Sequence, residues 1–136
     1  MAQQTMARSA QNAGLVESGY AAFGRGDLAA LEALFDPDLV WHVQRLGQLS
    51  GDHRGWPAVL KFFGDSMQLT QGTFRIEVRE VLANDTAGAA VVRSTGRRGE
   101  LTLDDQQVHL FHLHDDRVIE VWQYVGDGGA TEAFWS

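Results

Sequence analysis

Apolar and polar positions divide the chain into a helical first half and a sheet-forming second half. From Leu15 onward, apolar residues recur at the spacing of a helix face, and the glycines within residues 24–26 end that pattern. Asp27 is predicted to be the N-cap of a second helix. That helix ends at Asp36, because a residue that precedes proline is pushed out of the helical region of backbone space.

A third helix follows a short strand and a loop. Residues 39–43 are rich in β-branched and aromatic side chains, which favours a strand, whereas residues 44–54 have the glycines and polar side chains of a loop. The third helix begins at Gly55 and is closed by Gly72. Its apolar face is formed by Val59, Leu60, Phe63 and Met67.

The rest of the chain carries the alternation that is typical of β-strands. The four predicted strands are residues 73–82, 87–95, 101–113 and 118–125. In the first of them apolar and charged side chains alternate, so one face of the sheet is expected to be buried. The apolar side comprises Phe74, Ile76, Val78 and Leu82. Helices first and an antiparallel meander afterwards predict an α+β fold, with the helices packed on one side of a curved sheet.

The C-terminal end is also expected to be ordered. Phe134 and Trp135 would be two large apolar side chains on a free end if the chain were not packed there. We therefore expect residues 130–135 to fold back onto the body of the protein.

Length and composition predict one domain with one core. The chain has 136 residues, of which 44% are hydrophobic, a share typical of a folded globular protein. We expect this domain to span residues 15–136, after a flexible polar segment of residues 1–14. That segment lacks the apolar run of a signal peptide, and no later stretch is long enough to cross a membrane. We therefore expect a cytoplasmic protein with no membrane partner.

Charge and residue types argue against several function classes. The formal net charge is −7 and no basic stripe is present, so a nucleic-acid partner is not expected. The chain contains no cysteine, which excludes disulfides and thiolate chemistry. His112 and His114 could form a metal pair near Asp116, but no third ligand follows at a fixed spacing. No glycine-rich phosphate loop occurs either, so neither a metal nor a cofactor is expected.

Four segments, in their order and spacing, carry a resemblance to a known family. They are YAAFGRGD at residues 20–27, LFDPDLVWH at 34–42, GDHRG at 51–55 and VIEVW at 118–122. With them the chain resembles the nuclear transport factor 2-like superfamily, and within it the branch of ketosteroid isomerases and SnoaL-like polyketide cyclases. The resemblance implies a cone-like curved antiparallel sheet, the cystatin-like α+β barrel, wrapped around three N-terminal helices and enclosing one pocket. Isomerases, cyclases, dehydratases and non-catalytic binders all share this fold.

The resemblance also assigns positions in that pocket. The carboxylate base of the isomerases corresponds to Val43, and their neutral aspartate corresponds to His109. Their tyrosine corresponds to Gly19, the neighbour of Tyr20. The histidine of the SnoaL-like cyclases corresponds to His109 and their acidic residue to Gln123. The resemblance thus implies a site that has the histidine without a carboxylate beside it.

Strand alternation predicts the orientation of His109 from the residues alone. His109, Phe111 and Leu113 are alternate residues of one strand, so their side chains point to the same face of the sheet. With an odd-length hairpin loop, the odd-numbered residues of the last strand point to that face as well. The inward residues of the last strand are then Ile119, Val121 and Gln123. His109 and Gln123 therefore share the concave face. A core histidine that is satisfied by a backbone carbonyl remains the alternative to a functional one.

The opposite face of these strands predicts an interface. His112 and Glu120 fall together on that face, where they can form an ion pair. The face also carries more apolar surface than a solvated sheet should show. Its large side chains are Val108, Leu110, Val118, Trp122 and Tyr124. We therefore expect a homodimer.

Other polar residues have structural alternatives. Trp41 and Val43 are alternate residues of one strand, and we expect Trp41 in the pocket wall. His42 then points to the other side of the strand. For His42 a structural role is favoured over a catalytic one. Residues 52–54 combine acid, base and cation, and we expect them at the pocket rim at most. Arg93 either projects into the cone or reaches solvent at its strand end, and the second interpretation is preferred.

Together these patterns predict a small-molecule-binding protein. The predicted pocket wall comprises Phe23, Trp41, Val43, Phe63, Met67, Phe111 and Val121. One hypothesis is a cofactor-free isomerase, cyclase or lyase, in which His109 exchanges a proton beside a carbonyl group. Gln123 or Tyr20 would then stabilise the oxyanion. The alternative is a non-catalytic binder or carrier of a small apolar organic ligand.

Overall fold

A computed structural model describes residues 2–136, with side chains from residue 7 onward. The helices of this part of the chain are α1 (Ala2–Arg25), α2 (Leu28–Leu34), α3 (Trp56–Leu69) and α4 (Gly128–Trp135), with a short 3-10 helix at Gly47–Leu49. The strands are β1 (Phe35–Val43), β2 (Gly51–Arg54), β3 (Arg75–Ala83), β4 (Ala87–Arg98), β5 (Leu101–His114) and β6 (Arg117–Tyr124).

Local capping explains where two of the helices begin. The carboxylate of Asp27 accepts a hydrogen bond from the backbone N–H of Ala30 and caps α2, as the sequence predicts. The carboxylate of Asp127 caps α4 in the same way. The first helix differs from expectation, because it begins at Ala2 and therefore includes residues 2–14, which were expected to be flexible. Alanine and glutamine are good helix formers, but their lack of apolar periodicity hid this extension from the sequence pattern.

The six strands form one sheet in the order β2-β1-β6-β5-β4-β3. The α+β class and the curved sheet are confirmed. The all-antiparallel expectation was wrong in one place, because β1 runs parallel to β6. In addition, β2 lies within the segment that was predicted to be a loop. Pairing between strands so far apart in the sequence cannot be deduced from the local alternation of side chains.

Two bulges change which side chains face inward. The register of β3 with β4 shifts between Val78 and Glu80, so Leu82 is 61% exposed rather than on the buried side. A second shift lies in the pairing of β5 with β6, where Leu113 pairs with Val118. As a result Val118 is 1% exposed and faces inward, while Ile119 is 38% exposed, the reverse of the predicted pattern.

The core lies between the inner face of the sheet and the helices. Trp41 of β1 packs edge-on against Phe63 of α3 at a ring-centroid distance of 5.3 Å. The C-terminal helix completes the core, since Phe134 and Trp135 are both buried, which confirms the expected folding back. At Gly47 a Cβ atom would lie 2.4 Å from the Trp135 carbonyl carbon, so only glycine permits this close approach. None of the described helices is both long enough and apolar enough to cross a membrane.

Candidate functional site

The core contains one apolar cavity of about 60 Å³, enclosed by α1, α2 and α3 on one side and by β1, β5 and β6 on the other. Four residues of the predicted pocket wall line it, namely Phe23, Trp41, Phe63 and Phe111. The other three, Val43, Met67 and Val121, pack around the cavity without lining it. The polar side chains of the wall are Tyr20, Ser66, Gln107, His109 and Gln123. The cavity is thus an aromatic chamber with a polar cluster on its sheet side.

His109 is held at both ring nitrogens. Its side chain is 2% exposed. The hydroxyl oxygen of Tyr20 lies 2.6 Å from Nδ1, and Oε1 of Gln107 lies 3.0 Å from Nε2. Tyr20 comes from α1, whereas His109 and Gln107 are alternate inward residues of β5. The structure therefore brings Tyr20, Gln123 and His109 to one wall, as the sequence predicts, and adds Gln107 between the last two.

The direction of these hydrogen bonds is fixed by groups that can only donate or only accept. The indole N–H of Trp41 donates to Oε1 of Gln123 over 3.0 Å, which leaves the amide nitrogen of Gln123 to donate to Oε1 of Gln107 over 2.9 Å. The amide nitrogen of Gln107 donates to the carboxylate of Asp105 over 3.1 Å. Gln107 therefore presents its oxygen to His109, so His109 carries its proton on Nε2 and accepts at Nδ1 from the Tyr20 hydroxyl.

Burial shifts both partners toward their neutral forms. Desolvation lowers the pKa of His109 to about 4, because the imidazolium loses its hydration in the core. Desolvation also raises the pKa of Tyr20 well above its ordinary value, since the phenolate would be buried as well. Near neutral pH the pair is thus an uncharged phenol that donates to an uncharged imidazole.

Asp105 anchors the polar cluster to the chain that leads into α4. It is buried, and besides Gln107 it accepts the backbone N–H groups of Gly126 and Asp127, at 3.1 Å and 2.8 Å. Neither Asp105 nor Gln107 was among the sequence candidates. Both have the parity of His109 on β5, so extending the alternation towards the start of that strand could have found them.

Tyr20 of α1 and Ile76 of β3 form the boundary between the cavity and the outside of the protein, which we call the mouth of the cavity. These two half-buried residues line both the cavity and a groove on the outside of the protein. The other half-buried lining residues of α1, Gly19 and Phe23, lie nearby on the same helix. Outward movement of Ile76 would therefore connect the cavity to this groove.

Trp135 lines the cavity and has a buried N–H without a hydrogen-bond partner among the described residues. Its side chain is 1% exposed, and it is one of the lining residues. Within the described part of the chain its indole N–H has no hydrogen-bond partner. A buried donor without an acceptor is unfavourable, and such groups are rare in folded proteins.

A second histidine cluster lies on the outer face of the sheet, away from the cavity. His42 Nδ1 lies 2.7 Å from Asp52, and Nε2 lies 2.6 Å from Glu120. Partial burial lowers the pKa of His42, but the hydrogen bonds to the two carboxylates outweigh it, so the pKa is raised overall. His112 and Glu120 lie opposite each other on β5 and β6, as expected, but they do not form the ion pair, because Glu120 bonds His42 and His112 packs against Trp122 with a ring-centroid distance of 4.6 Å.

The remaining polar candidates also have partners outside the cavity. His53 donates from Nε2 to the carbonyl of Leu49 over 2.8 Å. Arg93 forms a two-point ion pair with Asp104 on the outer face, at 2.8 Å and 2.7 Å, so it does not enter the cone. Among the residues that the structure describes, no group of three histidine or acidic side chains could hold a metal ion.

Comparison with known proteins agrees with this fold and cavity. The chain is 34% identical over 123 residues to the uncharacterized protein Rv0034 of Mycobacterium tuberculosis, covering 90% of this chain and 94% of that protein. Its fold is similar to that of Bal32a, from a soil-derived mobile gene cassette, with a TM-score of 0.92 and 35% identity over 95% of this chain and 99% of the other.

More distant structures share only the fold. A Jannaschia protein named as a SnoaL-like polyketide cyclase has a TM-score of 0.76 at 16% identity, over 94% of both chains. The SnoaL-like domain itself matches residues 16–121. That match begins within the first helix and includes Tyr20, Gln107 and His109, whereas Gln123 and Trp135 lie beyond its end. The chain therefore belongs to the SnoaL-like domain family.

Proposed function

We propose that this protein binds a small, uncharged, apolar organic molecule in the cavity. The observation that carries the proposal is the lining itself, in which aromatic rings surround a few polar groups that hydrogen bonds hold in place. No aspartate, glutamate, lysine or arginine is among the described lining residues. Binding sites for small organic ligands have this combination of apolar walls and a small number of placed polar groups.

The size of the cavity limits what it holds without rearrangement. Its volume of about 60 Å³ is well below the roughly 150 Å³ of an apolar cavity that holds benzene. A ligand with an aromatic ring therefore requires outward movement of lining side chains. Phe23 and Ile76 are half-buried lining residues without polar groups in their side chains, and we expect these two to move.

Two measurements test the binding function. Extraction of the purified protein with organic solvent, followed by mass spectrometry, should release an apolar molecule if the natural ligand co-purifies. Titration with acetophenone should raise the melting temperature, because a ligand that binds only the folded state stabilises it. If nothing is extracted and no uncharged aromatic compound shifts the melting temperature, the proposed function is wrong.

A second candidate function is proton transfer on the bound molecule, as the distance of 2.6 Å between Tyr20 and His109 supports. Both imidazole nitrogens are occupied, so the proton would pass through Tyr20. The ligand's C–H bond beside a carbonyl breaks and its proton joins the Tyr20 oxygen, while the Tyr20 hydroxyl proton moves to Nδ1 of His109. The products are an enolate and an imidazolium, and Gln123 keeps a second amide hydrogen for the enolate oxygen. Cyclases and isomerases of carbonyl compounds use such steps.

Hydrogen exchange tests this step without knowledge of the natural substrate. Protein in D₂O should speed deuterium incorporation beside the carbonyl of 2-indanone. The variants Tyr20→Phe and His109→Asn should lower that rate by ~10²–10⁴, the usual value of general acid–base help. Gln106→Leu, at an exposed position of β5 outside the cavity, is the control and should keep the rate. If the Tyr20 and His109 variants exchange as fast as the wild type, the protein is a binder without this chemistry.

We further propose that the protein is a homodimer assembled through the outer face of the sheet. Val108 and Tyr124 are 41% and 54% exposed there, and Trp122 is only half-buried. Covering this apolar face would stabilise a dimer. Light scattering at micromolar concentration should give twice the chain mass of 15.0 kDa. Val108→Asp should shift the protein towards monomer, and a monomeric wild type would contradict the proposal.

A further inference from the structure

We infer that the cavity selects its ligand by two hydrogen bonds of opposite sense: Tyr20 accepts one from a ligand hydroxyl group, and the indole N–H of Trp135 donates one to a ligand oxygen. The ligand class is therefore uncharged aromatic or alicyclic compounds that carry both a hydroxyl and a carbonyl group. This inference rests on the proposed binding function and specifies its substrate class.

The role of Tyr20 follows from the direction of the hydrogen-bond chain. Gln107 presents its oxygen to Nε2 of His109 because its nitrogen donates to Asp105. His109 is therefore an acceptor at Nδ1, and the hydroxyl hydrogen of Tyr20 is used to reach it. The Tyr20 oxygen keeps a lone pair but has no hydrogen left to donate. A ligand hydroxyl group can bond to it, whereas a ketone oxygen cannot.

The charge of the ligand follows from the lining. No cationic side chain is among the described lining residues, and His109 is neutral near pH 7 because burial lowers its pKa to about 4. A carboxylate would lose its hydration in this cavity without gaining a counter-charge. The site should therefore exclude anions such as benzoate.

The role of Trp135 is supported by an independent observation. Its buried indole N–H has no partner within the described part of the chain, although Trp135 lines the cavity. An indole nitrogen can only donate, so a ligand oxygen that accepts is the group that would complete it. Ser66 has no free donor, because its hydroxyl donates to the carbonyl of Phe63 over 2.6 Å. Gln123 keeps one amide hydrogen besides the one that it donates to Gln107, so it is the competing donor for a ligand oxygen.

Four small probes and two variants separate the two contacts. Calorimetric titration of the full chain would compare toluene, phenol, acetophenone and benzoate in the wild type, Tyr20→Phe and Trp135→Phe. In the wild type, phenol and acetophenone should each bind up to about tenfold more tightly than toluene, the upper range for one net hydrogen bond, and benzoate should not bind. Tyr20→Phe should abolish only the advantage of phenol, and Trp135→Phe only that of acetophenone. An advantage of acetophenone that survives Trp135→Phe would assign the ketone to Gln123 and overturn the role of Trp135.

Toluene serves as the reference within each protein, because it forms no hydrogen bond and its affinity reports the change in packing that each substitution causes. If the Tyr20 variant fails to fold, the affinities of phenol and anisole for the wild type are compared instead. Anisole has a similar shape but cannot donate a hydrogen bond, so it should bind less tightly than phenol. Equal affinities of toluene, phenol and acetophenone in the wild type would overturn this inference and leave the binding function intact. Failure of all four probes to bind the wild type would contradict the binding function itself.

Discussion

The hydroxyl oxygen of Tyr20 lies 2.6 Å from Nδ1 of His109, and the two rings are stacked with their centroids 5.9 Å apart. This contact joins the first helix to the middle of β5. Since Gln107 occupies the other ring nitrogen, the imidazole is fixed in one orientation and one tautomer. The stability of the protein and the chemistry of the cavity both depend on this arrangement.

The stability of the protein should fall on acidification because of His109. Its pKa is about 4 in the folded protein and about 6.5 in an unfolded chain. Between these values only the unfolded chain binds the proton, so the free energy of unfolding decreases as the pH falls. From pH 7.5 to pH 5 this loss is ~2 kcal/mol. Urea unfolding at pH 7.5 and pH 5 measures this decrease in the free energy of unfolding. In His109→Asn the decrease should be smaller by ~2 kcal/mol than in the wild type. An equal decrease in the variant and the wild type would contradict the buried neutral histidine.

Gln107 should be important for stability although it is uncharged. Gln107→Leu removes the acceptor of both His109 and Gln123, leaving two buried donors unsatisfied. We expect the free energy of unfolding to decrease by ~2–4 kcal/mol. The matched control is Gln106→Leu, at an exposed position of the same strand, where we expect a change within ~0.5 kcal/mol. Similar urea midpoints for the two variants would show that the hydrogen bonds of Gln107 contribute little.

His42 should have the opposite pH dependence from His109. Its pKa is raised in the folded protein by Asp52 and Glu120. Its contribution to stability is therefore fully present below about pH 6.5 and is lost as the pH rises through the higher folded value. His42→Gln should destabilise the protein more at pH 6 than at pH 8.5. A pH-independent effect of His42→Gln would argue against the ion pairs.

Ile76 should control how fast a ligand reaches the cavity. It lies in the wall between the cavity and the outer groove, whereas Val78 of the same strand lines the groove only. Ile76→Phe narrows the mouth and should reduce the association rate constant of acetophenone severalfold, and Ile76→Ala should increase it. Val78→Phe should leave the rate unchanged in stopped-flow fluorescence. If Ile76→Phe and Val78→Phe have the same effect, the ligand uses another route.

Sequence patterns predicted the parts of the fold that depend on local alternation. The parity of β5 placed His109 inward beside Phe111, and Asp27 marked the start of α2, because both signals lie within a few residues. The orientation of Val118 and Ile119 was wrong, since a single bulge reverses the alternation and leaves no local mark. Pairing of β1 with β6 depends on strands that are distant in the chain, which a periodic pattern does not encode.

The polar cluster was only partly predictable for a similar reason. His109, Gln123 and Tyr20 were candidates because of the family resemblance and because they are able to do chemistry. Gln107 was overlooked because a glutamine has no reactive group, although its parity on β5 placed it beside His109. The unpaired N–H of Trp135 depends on the packing of the C-terminal helix and could not be deduced from the sequence.

A crystal structure of the protein with phenol bound tests most directly whether the cavity is a ligand site with Tyr20 as acceptor. The expected result is phenol inside the cavity, with its hydroxyl oxygen about 2.8 Å from the Tyr20 oxygen and the contact between Tyr20 and His109 retained. Phenol bound only outside the cavity, or a Tyr20 side chain that has left His109, would contradict the site described here.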